Sequence, residues 1–243
     1  MTQGEFFQNY LSKMVTSTAY QHGNACEFSL EKVAYQPDSK LNGKRIGFLG
    51  SSITYGAFSK GISFVDYLQA IDGVTAIKSA ISGATLAGKN HAGYLARLKD
   101  EITPQGPYDL LVCQLSTNDL RQGKQLGQFS SASKLKDYDL ETITGAIEYI
   151  CQYTKHQLNC PLAFFTCIFA GDDAYGKLVE QLFNLQQKWH FSIIDLYHDS
   201  GVNASTKVRQ DAMFDQIHPT QAGYLKVWTP FFEQKIIEIL EHQ

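Results

Sequence analysis

Short, nearly unbroken apolar runs alternate along this chain with segments whose apolar residues recur every three or four positions. The runs are Arg45–Leu49, Val74–Ser79, Asp109–Leu115, Leu162–Ile168 and Ser192–Leu196. Each is short and apolar on both faces, which predicts strands covered on both sides, as in a parallel sheet. Between them, Ser63–Ala70, Leu140–His156, Lys177–Trp189 and Ala222–Leu240 predict helices, with Ser63 near the start of the first. Pro230 is expected to interrupt or kink the last, because a proline inside a helix loses a hydrogen bond and clashes with the preceding turn. Strand and helix in alternation predict an α/β fold with a parallel sheet wrapped by helices.

Two stretches do not follow this pattern. Residues 121–138, RQGKQLGQFSSASKLKDY, are rich in Gly, Ser, Gln and Lys and predict a long loop after the third strand. Loops of that length within a domain tend to be functional or mobile. Residues 1–43 have weak periodicity and end in the turn-rich PDSKLNGK, so they are expected to form an extension packing on a main domain over 44–243.

Composition narrows the function classes. With 44% hydrophobic and 19% charged residues over 243 positions, the chain has enough apolar material for a substantial core. A formal net charge of −3, without a dense basic run, gives no field to attract nucleic acid. The polar, mixed start MTQGEFFQNYLSKMVTSTAY does not read as a secretory signal, and no apolar run is long enough to span a bilayer. The five cysteines, Cys26, Cys113, Cys151, Cys160 and Cys167, are odd in number and scattered, which predicts a reducing, cytoplasmic setting over a disulfide framework. Neither cysteines nor histidines show zinc-ligand spacing, so no metal is expected.

In an open parallel sheet the ligand crevice lies beyond the carboxyl ends of the strands. Four such ends carry reactive or hydrogen-bonding groups: Ser51-Ser52 after the first strand, Ser82-Gly83-Ala84 after the second, Ser116-Thr117-Asn118-Asp119 after the third, and Asp215-Gln216-Ile217-His218 before the last helix. Singly, each has a plain structural explanation as a turn or a helix cap. Together they supply what acyl transfer requires: a hydroxyl, a base to take its proton, a carboxylate to orient the base, and donors for an oxyanion. Asn118 and Asp119 adjoin, yet only the amide can donate.

GSSIT at 50–54, Gly83 within SGATLAG, STND at 116–119 and DQIH at 215–218 resemble, in order, the blocks of the SGNH hydrolases, also called GDSL-type esterases. The resemblance runs from residue 45 to about 225. It implies a flavodoxin-like three-layer α/β/α fold with a five-stranded parallel sheet in the order 2-1-3-4-5. It implies Ser52 as nucleophile, His218 as base and Asp215 as its orienting partner, with the N–H groups of Ser52 and Gly83 and the Asn118 amide as oxyanion hole. Two residues depart from the family pattern: Ser51 replaces the usual aspartate, and Ser116 replaces a glycine, adding a side chain expected to narrow the crevice.

The expected activity is that of a cofactor-independent serine esterase acting on a small acyl ester, an O-acetyl group on a carbohydrate or related metabolite. A lysophospholipase or thioesterase of the same fold, or a binding protein without turnover, are the competing readings. Arg121 and Lys124, just past Asn118, are candidate substrate contacts. The partner is then a small-molecule ester.

Overall fold

The computed structural model describes residues 12–171 and 173–242. Five strands, β1 (Arg45–Gly50), β2 (Thr75–Ala80), β3 (Leu110–Gln114), β4 (Leu162–Phe165) and β5 (Ser192–Ile194), form one sheet in the order β2-β1-β3-β4-β5. All four pairings are parallel. This is the order that the resemblance implies. Strand β3, flanked on both sides, is buried at every position, and this is why it reads as a continuous apolar run.

Successive side chains of a strand point to opposite faces, so adjacent aromatics serve different layers. Phe165 meets the rings of Phe64 and Phe232, while its neighbour Phe164 meets Phe191. Phe64 begins helix α1 (Phe64–Asp72), and Phe232 belongs to α5 (Thr229–Glu241); their rings stack at 3.8 Å. Between them in sequence come α2 (Ile143–Tyr153), α3 (Asp173–Trp189) and α4 (Ser200–Val208). Helices α2 and α3 pack on one another. Ser63 caps α1, as its expected place near the start suggests, in a reciprocal pair with Asp66, and Gly73 closes the helix at φ 69°.

Three differences from the sequence reading have physical reasons. The last helical region is divided into Gln221–Gly223, a wider π-helical turn over Tyr224–Trp228, and α5. Pro230 lies in the first turn of α5, where its missing N–H costs little. The stretch after β3 is irregular over 122–134, as expected of a loop, but it is tied down. It opens with a helical turn, Asn118–Arg121, and is then pinned to α2 and α3: Glu148 of α2 accepts from the Ser130 N–H, and Lys188 of α3 bonds both the Ser130 carbonyl and Glu148. Helix α4 carries no strong apolar period and was not expected.

In the N-terminal stretch, the helix Thr18–Gly23 ends at buried Asn24. Its amide donates to the Phe58 carbonyl at 3.0 Å, and its Oδ1 accepts from the Gln221 N–H at 3.1 Å. The segment thereby joins the turn after β1 to the start of the C-terminal helical region. Residues 1–11 of the expected extension lie outside the described residues. Among the described residues no helix is long and apolar enough to cross a membrane, and no three or more His, Cys, Asp or Glu side chains gather as a metal site.

Candidate active site

β1 ends at Gly50, and the chain turns at once into the short helix Ser52–Tyr55. A side chain at Gly50 would run into Thr54, so the tight turn requires glycine. Ser51 is fully buried, its N–H donating to Gln114 Oε1 at 2.9 Å. Ser52 lies one position further, its N–H at a helix start, where amides have no intrahelical acceptor. Gln114, the last residue of β3, also accepts from Thr54 Oγ1 at 2.8 Å. One buried carbonyl oxygen therefore holds both sides of the serine turn. Sequence reasoning missed Gln114, although a polar residue closing an otherwise apolar strand was a usable signal.

His218 comes from a turn closed on itself. Met213 and Pro219 form an antiparallel bridge, the Phe214 N–H donates to the His218 carbonyl at 2.9 Å, and the Thr220 N–H donates to the Ala212 carbonyl at 2.9 Å. Within this loop Asp215 Oδ1 accepts from the N–H groups of Ile217 and His218, both at 2.8 Å. The imidazole follows: Nδ1 lies 2.9 and 3.0 Å from the two Asp215 oxygens, and Nε2 lies 2.9 Å from Ser52 Oγ. A carboxylate only accepts, so Nδ1 carries the proton and Nε2 offers its lone pair to the serine hydroxyl. Phe58 packs at 4.7 Å from the imidazole and stacks on Phe214 at 4.4 Å, while Tyr20 of the N-terminal helix meets Phe214 edge-on.

Burial by itself would raise the Asp215 carboxyl. The hydrogen bond and charge of His218, with the two backbone N–H groups, outweigh it and hold the group below the usual carboxylate value. Asp215 is thus a stable anion beside the imidazole.

Gly83 follows β2 with φ +80°, a left-handed conformation that disfavours any other residue, although nothing would obstruct a Cβ there. Its carbonyl accepts from Gln122 Nε2 at 2.7 Å. Asn118 Nδ2 donates to the Ala84 carbonyl at 3.0 Å, which uses one of its two amide hydrogens. Asp119, fully buried, accepts from the N–H groups of Leu86 and Ala87 at 2.8 and 2.7 Å. The loops after β2 and β3 are therefore stitched together by Asn118, Asp119 and Gln122. Ser116 does not narrow the crevice: it is almost wholly buried, and its hydroxyl accepts from the Asn118 N–H at 3.0 Å. Of the two cationic candidates, Arg121 is exposed beside Thr117, whereas Lys124 is paired with Glu141 at 3.0 Å.

Residues 48–226 match the model of the GDSL-like lipase/acylhydrolase family. The chain belongs to that family. Among solved structures this GDSL-like hydrolase is similar to a member of the lipolytic protein G-D-S-L family from Veillonella parvula DSM 2008, with 19% identity and a TM-score of 0.57 over 82% of this chain and 99% of that one. It is similar to the acetyl xylan esterase AlAXEase, with 17% identity and a TM-score of 0.54 over 80% and 98% of the two chains. A family two carbohydrate esterase from Clostridium thermocellum, solved with cellohexaose, gives 16% identity and a TM-score of 0.56 over 83% of this chain and 66% of that one. At these identities the likeness is one of fold. No curated protein sequence matches. Family membership makes this GDSL-like protein a carboxylic ester hydrolase.

Proposed function

We propose that the enzyme removes a small acyl group, an O-acetyl group of a carbohydrate or related metabolite, through a Ser52-His218-Asp215 triad and an acyl-enzyme. The observation that carries this reading is the continuous contact from Ser52 Oγ through the two nitrogens of His218 to Asp215. In the first step Ser52 Oγ attacks the ester carbon while its proton passes to Nε2. Imidazolium forms against Asp215, which is already ionised and held by backbone donors. The oxyanion is received by the N–H groups of Ser52 and Gly83 and by the second hydrogen of the Asn118 amide. The tetrahedral intermediate collapses as Nε2 returns its proton to the departing alcohol. Water then attacks the acyl-enzyme by the same route.

The carbohydrate side rests on the fold shared with two esterases whose names specify xylan acetyl groups or carbohydrate. Arg121 is the better-supported substrate contact of the two cations, since Lys124 is engaged by Glu141. We take 44–243 as the hydrolase domain, with the preceding residues buttressing the His218 loop through Asn24 and Tyr20.

Labelling with a serine-directed phosphonate and peptide mapping tests the assignment. The adduct is expected on Ser52, and Ser52→Ala should lower turnover on the order of 10⁴-fold or more with the fold intact. An adduct on Ser51, or turnover that survives Ser52→Ala, would sink the proposal.

A further inference from the structure

A small, partly open cavity of about 100 Å³ lies over the carboxyl ends of β3 and β4. Its walls come from both halves of the site: Thr117 immediately precedes Asn118, and Ile217 immediately precedes His218. Leu120, Cys167, Ile168 and Ala170 supply its apolar part, and Tyr197 adds a ring with a hydroxyl. Tyr175 helps to line the cavity and is itself fixed, its hydroxyl donating to the Leu115 carbonyl at 3.2 Å and accepting from the Cys167 N–H at 2.9 Å. Arg121 and Gln216, both exposed, also line it, and we read them as its mouth.

We propose that this cavity holds the acyl chain of the substrate and limits it to a saturated chain of two to four carbons. This rests on the serine-esterase reading and adds to it the acyl class. Once the carbonyl oxygen faces the oxyanion donors and the leaving oxygen faces His218 Nε2, an ester has two remaining parts to house. A carbohydrate alcohol placed against the apolar part of this wall would leave hydroxyls without partners, which disfavours it there. A hydrocarbon chain brings no such penalty. The size limit follows from packing: a cavity of roughly 150 Å³ accepts the six carbons of benzene, so about 100 Å³ accommodates about four. Such a wall rejects a long acyl chain unless it opens.

The test is a series of aryl esters from acetyl to octanoyl, assayed with wild type, Ala170→Leu, Leu120→Ala and Ser52→Ala. Leu120 and Ala170 are only partly buried, so their replacement does not remove a core residue. In wild type, kcat/KM should gain up to about fourfold per added methylene as far as butyryl, then fall at least tenfold by hexanoyl. Ala170→Leu should move the cut-off down to acetyl or propionyl, and Leu120→Ala should move it up by one or two carbons. Ser52-dependent turnover that keeps rising to octanoyl overturns the cavity assignment alone. So does a cut-off that neither variant moves. Turnover that persists in Ser52→Ala overturns the esterase mechanism on which the inference stands.

Discussion

Two aspartates beside the proposed site, Asp119 fully buried and Asp215 half-buried, have been driven in opposite directions. Asp215 is held below the usual carboxylate value, because burial is outweighed by an ionisable partner, His218, and two backbone donors. Asp119 is raised: burial dominates, and the Ser116 hydroxyl, the Ala87 and Leu86 N–H groups and the charge of Lys124 recover only part of it. Some loss of solvent and two backbone hydrogen bonds are common to both. What separates them is a partner in direct contact that can itself become charged. On the proposed mechanism Asp215 faces a developing cation, whereas Asp119 joins two loops, so the same residue type would serve chemistry in one place and architecture in the other.

The largest effect that would break this contrast is kinetic. Asp215→Asn should lower kcat by about 10⁴-fold, because the imidazole loses the acceptor that sets its tautomer, while circular dichroism stays native. If turnover falls no further than for Asp119→Asn, the two aspartates are not different in kind. Next comes Asn118, whose side chain is expected to act on the substrate although it adjoins Asp119. Asn118→Ala should lower kcat by ~10²–10³-fold with KM little changed, and Asn118→Asp at least as much. Near-normal kcat in Asn118→Asp would remove the oxyanion-hole assignment.

Gln114 sharpens the comparison from a third side, as a buried neutral group that positions without titrating. Gln114→Leu frees the N–H of Ser51 and the hydroxyl of Thr54 and should lower kcat by up to about 10²-fold through a displaced serine. Phosphonate labelling of Ser52 should slow in proportion, and a variant that loses stability but labels at the normal rate would limit Gln114 to a structural role.

Asp119→Asn should instead appear in urea denaturation. The amide offers one acceptor where two N–H groups need one each, so a loss of about 1–3 kcal/mol is expected, with kcat within a few-fold of wild type. The smallest effect is the pH dependence of these stabilities, and its sign differs between the two sites. The depressed Asp215 contributes stability above the ordinary carboxylate value that is lost as pH falls through its folded-state value. The elevated Asp119 contributes stability that is present below the ordinary value and lost as pH rises through its folded-state value. The penalty of Asp215→Asn should therefore shrink toward acid pH and that of Asp119→Asn should grow. Parallel trends in the two melting curves would contradict the opposed electrostatics.

Residue type and local order determined the strands, the start of α1 at Ser63 and the blocks carrying Ser52, Gly83, Asn118 and the Asp215–His218 pair. These are local properties: a strand buried on both faces must be apolar throughout, and a carboxylate three residues before a histidine can meet it within one turn. Only the tertiary structure decided that Gln114 holds the serine turn from 60 or more residues away, that Asn24 ties the turn after β1 to Gln221, and that Ser130 is clamped by Glu148 and Lys188. It also placed Thr117 and Ile217, which carry no chemical signal of their own, on the wall of one small cavity. Such pairings depend on strand order and on helix faces meeting across the sheet. A buried polar atom is satisfied by whatever group the folded chain brings to it, and separation along the sequence carries no trace of that choice.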